Sequence, residues 1–362
     1  MSEAIKVLVA DDSLVTRTLV VKLLDSEPGI QVIGAVNDGL EAIAFLAGSL
    51  RPDIVVMDIH MPRLDGFEAT RRIMETRPLP IIICTATADP QELAVAFRSL
   101  EAGAVACIKK PVALGTDFEI RRQNLVQSVR LMSEVKVVRR WNRARGAPTT
   151  TAPFNNLLSP APSGPDIQLI GMGASTGGPP ALQTILSGLP PDFCVPLLIV
   201  QHIAQGFLPA MVEWLNETTT LRVHIATHGA APKAGNAYIA PDDSHLAVDG
   251  RGHMVLARTD PENGMRPAVS HLFRSLATMC GPRAIGVLLT GMGIDGAAEL
   301  KLMKDRGAFT IAQDQNSSVV HGMPREAIEL GAATQILPAD KVASTLITQV
   351  ERRRPAAGEM QI

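Results

Sequence analysis

The sequence predicts an α/β protein made of two doubly wound domains, and three observations point there. Its 362 residues amount to about two domains at roughly 150 residues each. Short apolar runs recur along the chain without the strict alternation of half-exposed strands, as strands buried on both faces should. Stretches with helical spacing separate these runs, and such β-α alternation implies parallel sheets covered by helices.

In the first third the runs are Ile5–Ala10, Val32–Val36, Ile54–Met57, Ile81–Cys84 and Val105–Ile108. Leu14, Leu19, Leu23 and Leu24 show the helical spacing that follows the first of them. The β-α unit repeats five times, so the loops after the strands gather at one carboxyl edge, where open α/β sheets bind ligands. The stretch from Glu119 to Trp141 lacks Gly and Pro and is expected to form one long helix. Eight of the residues from Arg121 to Arg145 are Arg or Lys and only Glu134 is acidic, which suits a solvated connecting helix or a contact with an acidic partner or nucleic acid. Gly146–Pro165 is rich in Pro, Thr and Ser and reads as a linker. The second α/β pattern runs through Gln168–Met172, Val195–Val200, Ala237–Ile239, Ile285–Leu289 and Phe309–Ala312, with helices expected at Pro179–Leu186, Val269–Met279 and Asp295–Asp305. The expected division is a first domain at 1–125, a helical then Pro-rich linker at 126–165, a second domain at 166–350 and a tail at 351–362.

Composition narrows the function classes. Hydrophobic residues make up 46% and charged residues 19%, which fits a globular chain. The net charge of −2 argues against a nucleic-acid binder, which carries a basic surplus. Cys84, Cys107, Cys194 and Cys280 form no C-x-x-C pair, so neither a zinc site nor a disulfide framework is suggested, and a reduced compartment fits them. The N-terminus does not read as a signal peptide. No apolar run approaches the roughly 18 residues that cross a bilayer. A cytoplasmic monomer without membrane insertion is expected.

In the first domain Asp11 and Asp12 follow the first strand and Asp58 the third. Carboxylates crowded at adjacent strand ends repel one another and either take up protons or bind a cation. Oxygen ligands favour Mg²⁺, which keeps several waters and is often completed by a phosphoryl oxygen. Thr85 and Lys110 close the fourth and fifth strands and would suit a phosphoryl group beside the metal. A lone Asp after a strand is usually a helix N-cap, but five polar groups gathered on four strand ends fit that poorly.

The second domain opens on GMGASTGGPP, where Gly173–Gly177 satisfies G-x-S-x-G, a strand-turn-helix bend that exposes a serine hydroxyl. The same pattern also serves as a phosphate loop or a plain turn. If Ser175 is a nucleophile it needs a base. His202 ends the next apolar strand on the same edge; His245, after the turn PDDSH, is the main competitor, with a structural role more natural there. His224, His228, His253 and His271 read as surface or helix residues. An acid should orient the imidazole. Asp295, in LLTGMGIDGAAEL, follows a buried strand, although its position also suits an N-cap. The flanking glycines would let backbone N–H groups point into the crevice as an oxyanion hole.

Two resemblances follow from these segments. VLVADDS, VVMDIHMPRLDGFEA, IIICTAT and GAVACIKKP resemble the receiver domain of two-component response regulators. That resemblance implies a flavodoxin-like (βα)5 fold, phosphorylation of Asp58 by a histidine kinase, and Mg²⁺ held by Asp11, Asp12, Asp58 and the His60 carbonyl. It also implies contacts of Thr85 and Lys110 with the acyl phosphate. Cys107 stands where such domains usually carry a switch aromatic, so coupling to output is expected to differ.

The segments IGMGASTGGPPAL, LLIVQHI, AYIAPDDSHL, GMRPAVSHLF, GVLLTGMGIDGA and SVVHGMPREAIELGA resemble the catalytic domain of the chemotaxis protein-glutamate methylesterases, the CheB family. The order Ser175, His202, Asp295 differs from that of α/β-hydrolases, in keeping with another scaffold: a three-layer α/β/α, mostly parallel sheet. The resemblance implies Ser175 as nucleophile, His202 as base, Asp295 as orienting acid, the Met292 N–H as oxyanion donor and Thr176 as a local hydrogen-bond partner. Two departures, Ser270 for the usual Asp and Glu299 for a Gly, are expected to bear on substrate fit or packing. The implied activity is hydrolysis of glutamate γ-methyl esters on cytoplasmic helices of methyl-accepting chemoreceptors, with glutamine deamidation by the same apparatus and no cofactor for the esterase step. The receiver is expected to block the catalytic edge until phosphorylated by the chemotaxis histidine kinase. The alternatives are a receiver joined to a non-catalytic output domain that binds a partner or nucleic acid, and a peptidase using the same triad.

Overall fold

The computed structural model describes residues 3–85, 90–111, 118–135, 137 and 165–353. The chain divides into two compact units, Met1–Gly146 and Ala147–Ile362. In the first, strands β1 (Ile5–Ala10), β2 (Ile30–Val36), β3 (Ile54–Met57), β4 (Ile81–Thr85) and β5 (Ala106–Lys109) alternate with helices α1 (Leu14–Asp25), α2 (Gly39–Ala47), α3 (Gly66–Thr76), α4 (Pro90–Ala102) and α5 (Phe118–Met132). The sheet is parallel, in the order β2–β1–β3–β4–β5. β3 and β4 are buried along their whole length, which explains why their sequences run apolar without alternation. Because β2 and β3 flank β1, the order in which strands are added reverses there and opens a crevice at the carboxyl ends. Ser13, Asp38 and Asp65 each cap the helix that follows with a side-chain oxygen.

The helix expected from Glu119 to Trp141 is shorter: α5 ends at Met132, and Ser133 and Glu134 form a turn. The buried residues of α5 are Leu125, Val126, Val129 and Met132. A helix draws most of its stability from such a packed face, and the buried face ends at Met132. The same packing ties the helix to the first unit, so residue 125 falls inside an element and not at a boundary. Residues 138–164, including Trp141 and nearly all of the Pro-rich segment, lie outside the described residues. Part of the basic stretch serves this unit itself: Arg122 and Arg130 both pair with Glu27.

The second unit has a seven-stranded sheet in the order β14–β13–β12–β6–β7–β9–β8, all parallel. Its strands are β6 (Leu169–Ala174), β7 (Leu197–Gln201), β8 (Arg222–Ile225), β9 (Asn236–Ile239), β12 (Ala284–Leu288), β13 (Phe309–Gln313) and β14 (Gln335–Leu337), with β10 (His245–Val248) and β11 (Met254–Ala257) forming a separate antiparallel pair. Helices α6 (Gly178–Ser187), α7 (Leu208–Thr218) and α11 (Ala339–Arg353) pack together as one layer; α8 (Val269–Met279), α9 (Ala297–Asp305) and α10 (Met323–Glu329) form the other. α8 buries Val269, Leu272, Phe273, Leu276 and Ala277, one face at helical spacing. It lies close on β6 because Gly171 and Gly173 leave room: a Cβ at either would come within 2.3 Å of Leu276 or Val269. The switch point of this sheet lies between β6 and β12, the strands that precede Ser175 and Asp295. No described helix is long and apolar enough to cross a membrane.

Candidate functional site

In the first unit Asp11 follows β1, Asp58 follows β3, Thr85 ends β4 and Lys110 follows β5, so the sheet order gathers all four at one edge. These four are buried, whereas Asp12 and His60 are exposed. Lys110 Nζ lies 2.7 Å from Asp11 Oδ2 and 2.8 Å from Asp58 Oδ2, and the Lys110 N–H donates to the Thr85 carbonyl at 2.8 Å. Burial pushes the Asp58 carboxyl above its ordinary value; the Lys110 ammonium opposes that only in part, and the Asp11 charge adds to it. Burial alone would lower Lys110, but Asp58 and Asp11 together hold it above its ordinary value. Carboxylate oxygens of Asp11, Asp12 and Asp58 all lie within 4.8 Å of one another. Such a hard, oxygen-only set fits Mg²⁺. Cys107 is half-buried, and burial pushes its thiol up to about 12.

In the second unit Ser175 and His202 stand at the ends of paired strands. Ala174 is in register with Gln201, and the His202 N–H donates to the Ala174 carbonyl at 2.9 Å. His202 Nε2 lies 3.0 Å from Asp295 Oδ2. The carboxylate is buried. Burial alone would raise its pKa, but hydrogen bonds from His202 and Ser270, the His202 charge and the Val269 N–H outweigh it and bring it down to about 2. An ionised carboxylate only accepts, so Nε2 must carry a proton, and in the neutral imidazole the lone pair is then on Nδ1. Nδ1 is buried and has no hydrogen-bond partner among the described residues, Ser175 Oγ included. Such bonds are often long until substrate is bound.

Asp295 does not cap its own helix. The N-cap of α9 is Gly296, and the carboxylate instead takes the first N–H groups of α8: Val269 N at 2.6 Å and Ser270 N at 3.1 Å. Ser270 Oγ at 2.5 Å and Asn263 Nδ2 at 3.1 Å complete the shell. An anion at a helix N-terminus is favoured by the unpaired N–H groups and the helix dipole. Asp295 is thus the N-cap of neither helix, since the N-cap of α8 is Ala268, and acts instead as an anion from another segment at the N-terminus of α8. The expectation that residue 270 bears on substrate fit or packing is also corrected, because Ser270 touches the proposed orienting acid directly. Glu299, the second departure, pairs with Arg274 of α8 and so joins α8 to α9.

The loop after β12 reaches Ser175 through Gly291, where a Cβ would lie 2.7 Å from Ser175 Cβ and 2.4 Å from Met323 Sδ. The Ser175 N–H donates to the Thr290 carbonyl at 3.0 Å. Gly291 N and O pair with Val320, Gly322 and Met323, while the N–H of the next residue, Met292, makes no hydrogen bond among the described residues. Thr176 is held through its carbonyl, 2.9 Å from Thr290 Oγ1. Sequence reasoning missed Gln201, whose Nε2 donates to the Ser175 carbonyl at 2.8 Å, as well as Asn263 and Thr290. Their only signal was a polar residue at the end of a buried strand or inside a Gly-rich turn. His245 is structural, as expected. It is buried, with Nε2 3.0 Å from the Asp260 carbonyl and Nδ1 accepting the Ala268 N–H at 3.2 Å. It also lies with Glu262 and His271 in a group that could hold a metal, but Arg274 already neutralises Glu262 and both His245 nitrogens are engaged.

Comparisons with known proteins cover both units. The CheB methylesterase family model matches residues 170–346, and that of the response regulator receiver domain matches residues 7–117. A protein-glutamate methylesterase/protein-glutamine glutaminase of Nitrosospira multiformis is 49% identical over 354 residues, covering 96% of this chain and 98% of its own. One from Geobacter metallireducens is 50% identical over 344 residues, covering 94% and 98%. The crystal structure of the Thermotoga maritima CheB methylesterase catalytic domain is 37% identical, with a TM-score of 0.49 over 50% of this chain and 98% of that one.

Proposed function

The chain belongs to the CheB family of protein-glutamate methylesterases with a receiver domain in front, and on that premise we propose that it hydrolyses glutamate γ-methyl esters on chemoreceptor helices through Ser175, His202 and Asp295. The observation that carries this reading is the His202 imidazole held at Nε2 by Asp295, its basic Nδ1 unengaged on the strand end next to that of Ser175. Ser175 Oγ attacks the γ-carbonyl carbon as its proton passes to Nδ1. The developing oxyanion takes the Met292 N–H, and methanol leaves with the proton from His202. Water, deprotonated by the same nitrogen, then releases the glutamate carboxylate. With a glutamine substrate the leaving group is ammonia and the remaining steps are unchanged.

Control is assigned to the first unit. Asp58 accepts a phosphoryl group from the chemotaxis histidine kinase, with Mg²⁺ held by Asp11, Asp12, Asp58 and the His60 carbonyl. The bound cation would offset phosphoryl charge, while Lys110 and Thr85 hold the phosphoryl oxygens. Phosphorylation raises the esterase rate. The test is methanol release from methylated receptors with and without a small-molecule phosphodonor. Ser175→Ala should lower release by about 10⁶-fold, and Asp58→Asn should abolish the response to the phosphodonor but not the basal rate. Release by Ser175→Ala at the parent rate would refute the assignment.

A further inference from the structure

The shell around Asp295 contains a residue whose chemistry the proposed reaction does not use. Ser270 is buried in the first turn of α8. Its Oγ lies 2.5 Å from Asp295 Oδ1 and 3.0 Å from Gly296 N. The Gly296 N–H can only donate, so the hydroxyl accepts there and its own proton points to the carboxylate. Asn263 Nδ2 lies 3.1 Å from both Ser270 Oγ and Asp295 Oδ1. The hydroxyl therefore links the N-terminus of α8, the loop before α9 and the Asn263 turn through one carboxylate oxygen, and leaves the other oxygen to His202 and Val269 N.

We propose that Ser270 is a positioning residue of this site: its hydroxyl fixes the Asp295 carboxylate in the orientation that holds His202 Nε2, with a donor whose charge does not change with pH. This rests on the reading of Asp295 as the acid that orients His202. A carboxylate with one oxygen anchored by three donors cannot rotate about its last bond without breaking them, so the second oxygen stays aimed at the imidazole. His202 is the one titratable side chain hydrogen-bonded to Asp295 among the described residues. Glu262, His271, Arg274 and Glu299 pair with one another, and His245 bonds to backbone. A neutral donor at 270 therefore keeps the charge beside His202 constant across the working range.

The test compares Ser270→Ala, Ser270→Thr and Ser270→Asp in the full chain. It measures methanol release as a function of pH, the labelling rate of Ser175 by a fluorophosphonate, and melting temperature. Removing a hydrogen bond to a charged group should lower kcat about ten- to hundredfold with KM unchanged, and Ser270→Thr should recover most of it. An aspartate at 270 would face Asp295 at hydrogen-bond distance, where two carboxylates share one proton. Ser270→Asp should then be active while that proton is held and lose activity as it leaves, so its pH profile gains an ionisation absent from the parent and from Ser270→Ala. A residue that only packs would lower the melting temperature and leave the profiles superimposable, which overturns the proposal. So does a Ser270→Ala enzyme with parental kcat. Asp295→Asn is run alongside. If it is inactive while Ser270→Ala is unaffected, this proposal alone falls; if it is fully active, the reading of the acid falls too.

Discussion

Asp295→Asn isolates what the carboxylate does, because the shell around it specifies the outcome. Oδ2 faces His202 Nε2 and Val269 N, while Oδ1 faces Ser270 N, Ser270 Oγ and Asn263 Nδ2. All are donors in the native arrangement, so an amide NH₂ clashes in either orientation. Keeping the oxygen on the three-donor side costs less and turns the NH₂ toward His202 and Val269 N. The Val269 N–H then has no acceptor, at a cost of about 1–3 kcal/mol. His202 can adapt only by moving its proton to Nδ1 and accepting at Nε2. That is the wrong tautomer for taking the proton of Ser175, and such a loss costs about 10⁴-fold in turnover. The assay is single-turnover methanol release from a methylated receptor, with urea denaturation of the same sample to separate the two effects. A variant destabilised by the expected amount but turning over within tenfold of the parent would refute the tautomer argument.

Four further outcomes follow from the same geometry. Gly291→Ala would put its Cβ 2.7 Å from Ser175 Cβ; a displacement of the proposed nucleophile of about 1 Å should cost on the order of 10²-fold in kcat, read against an unchanged fold by circular dichroism. Asp295, held at about 2 against an ordinary value of 3.8, contributes about 2 kcal/mol of stability above pH 4. Because its folded pKa is depressed, that contribution is lost as pH falls through about 2, and acid titration of Asp295→Asn should lack this component. Lys110→Ala leaves Asp11 and Asp58 facing each other without the bridging ammonium and should destabilise the first unit by about 3–5 kcal/mol. Millimolar Mg²⁺ should then raise the melting temperature of the variant more than that of the parent; equal shifts would mean the carboxylates do not share the cation.

Most strands of both sheets were legible because burial on both faces leaves a run with no other reading: Ile54–Met57 agrees to the residue. What escaped were strands at the margins. β8 is exposed at three of its four positions and β14 is exposed or half-buried throughout, so neither shows an apolar run. α7, α10 and α11 fall in gaps where the sequence predicts helices without fixing their bounds. In the proposed site, Ser175, His202 and Asp295 are legible as candidates because each ends a strand or opens a turn, and topology brings such ends together. Ser270 and Asn263 could not be found this way. They come from the start of α8 and the loop before it, and only the close approach of α8 to β6 over Gly171 and Gly173 puts them against Asp295. Local sequence pattern carries no record of that distance.

The two edges compensate buried charge by different means, and this separates what each can do. At the first, Asp11 and Asp58 are held by a single ammonium, a point charge on a flexible stem that can move or be outcompeted by a cation. Burial has already raised the Asp58 carboxyl, so any new charge placed there redistributes a strained balance. At the second, Asp295 is held, apart from His202, by two backbone N–H groups, a hydroxyl and an amide, none of which titrates in the working range and three of which belong to a packed helix. Reorganising that shell would require moving α8 off β6. The first edge is therefore suited to change state and the second to stay fixed, which is the division of labour that the proposed control by phosphorylation would require.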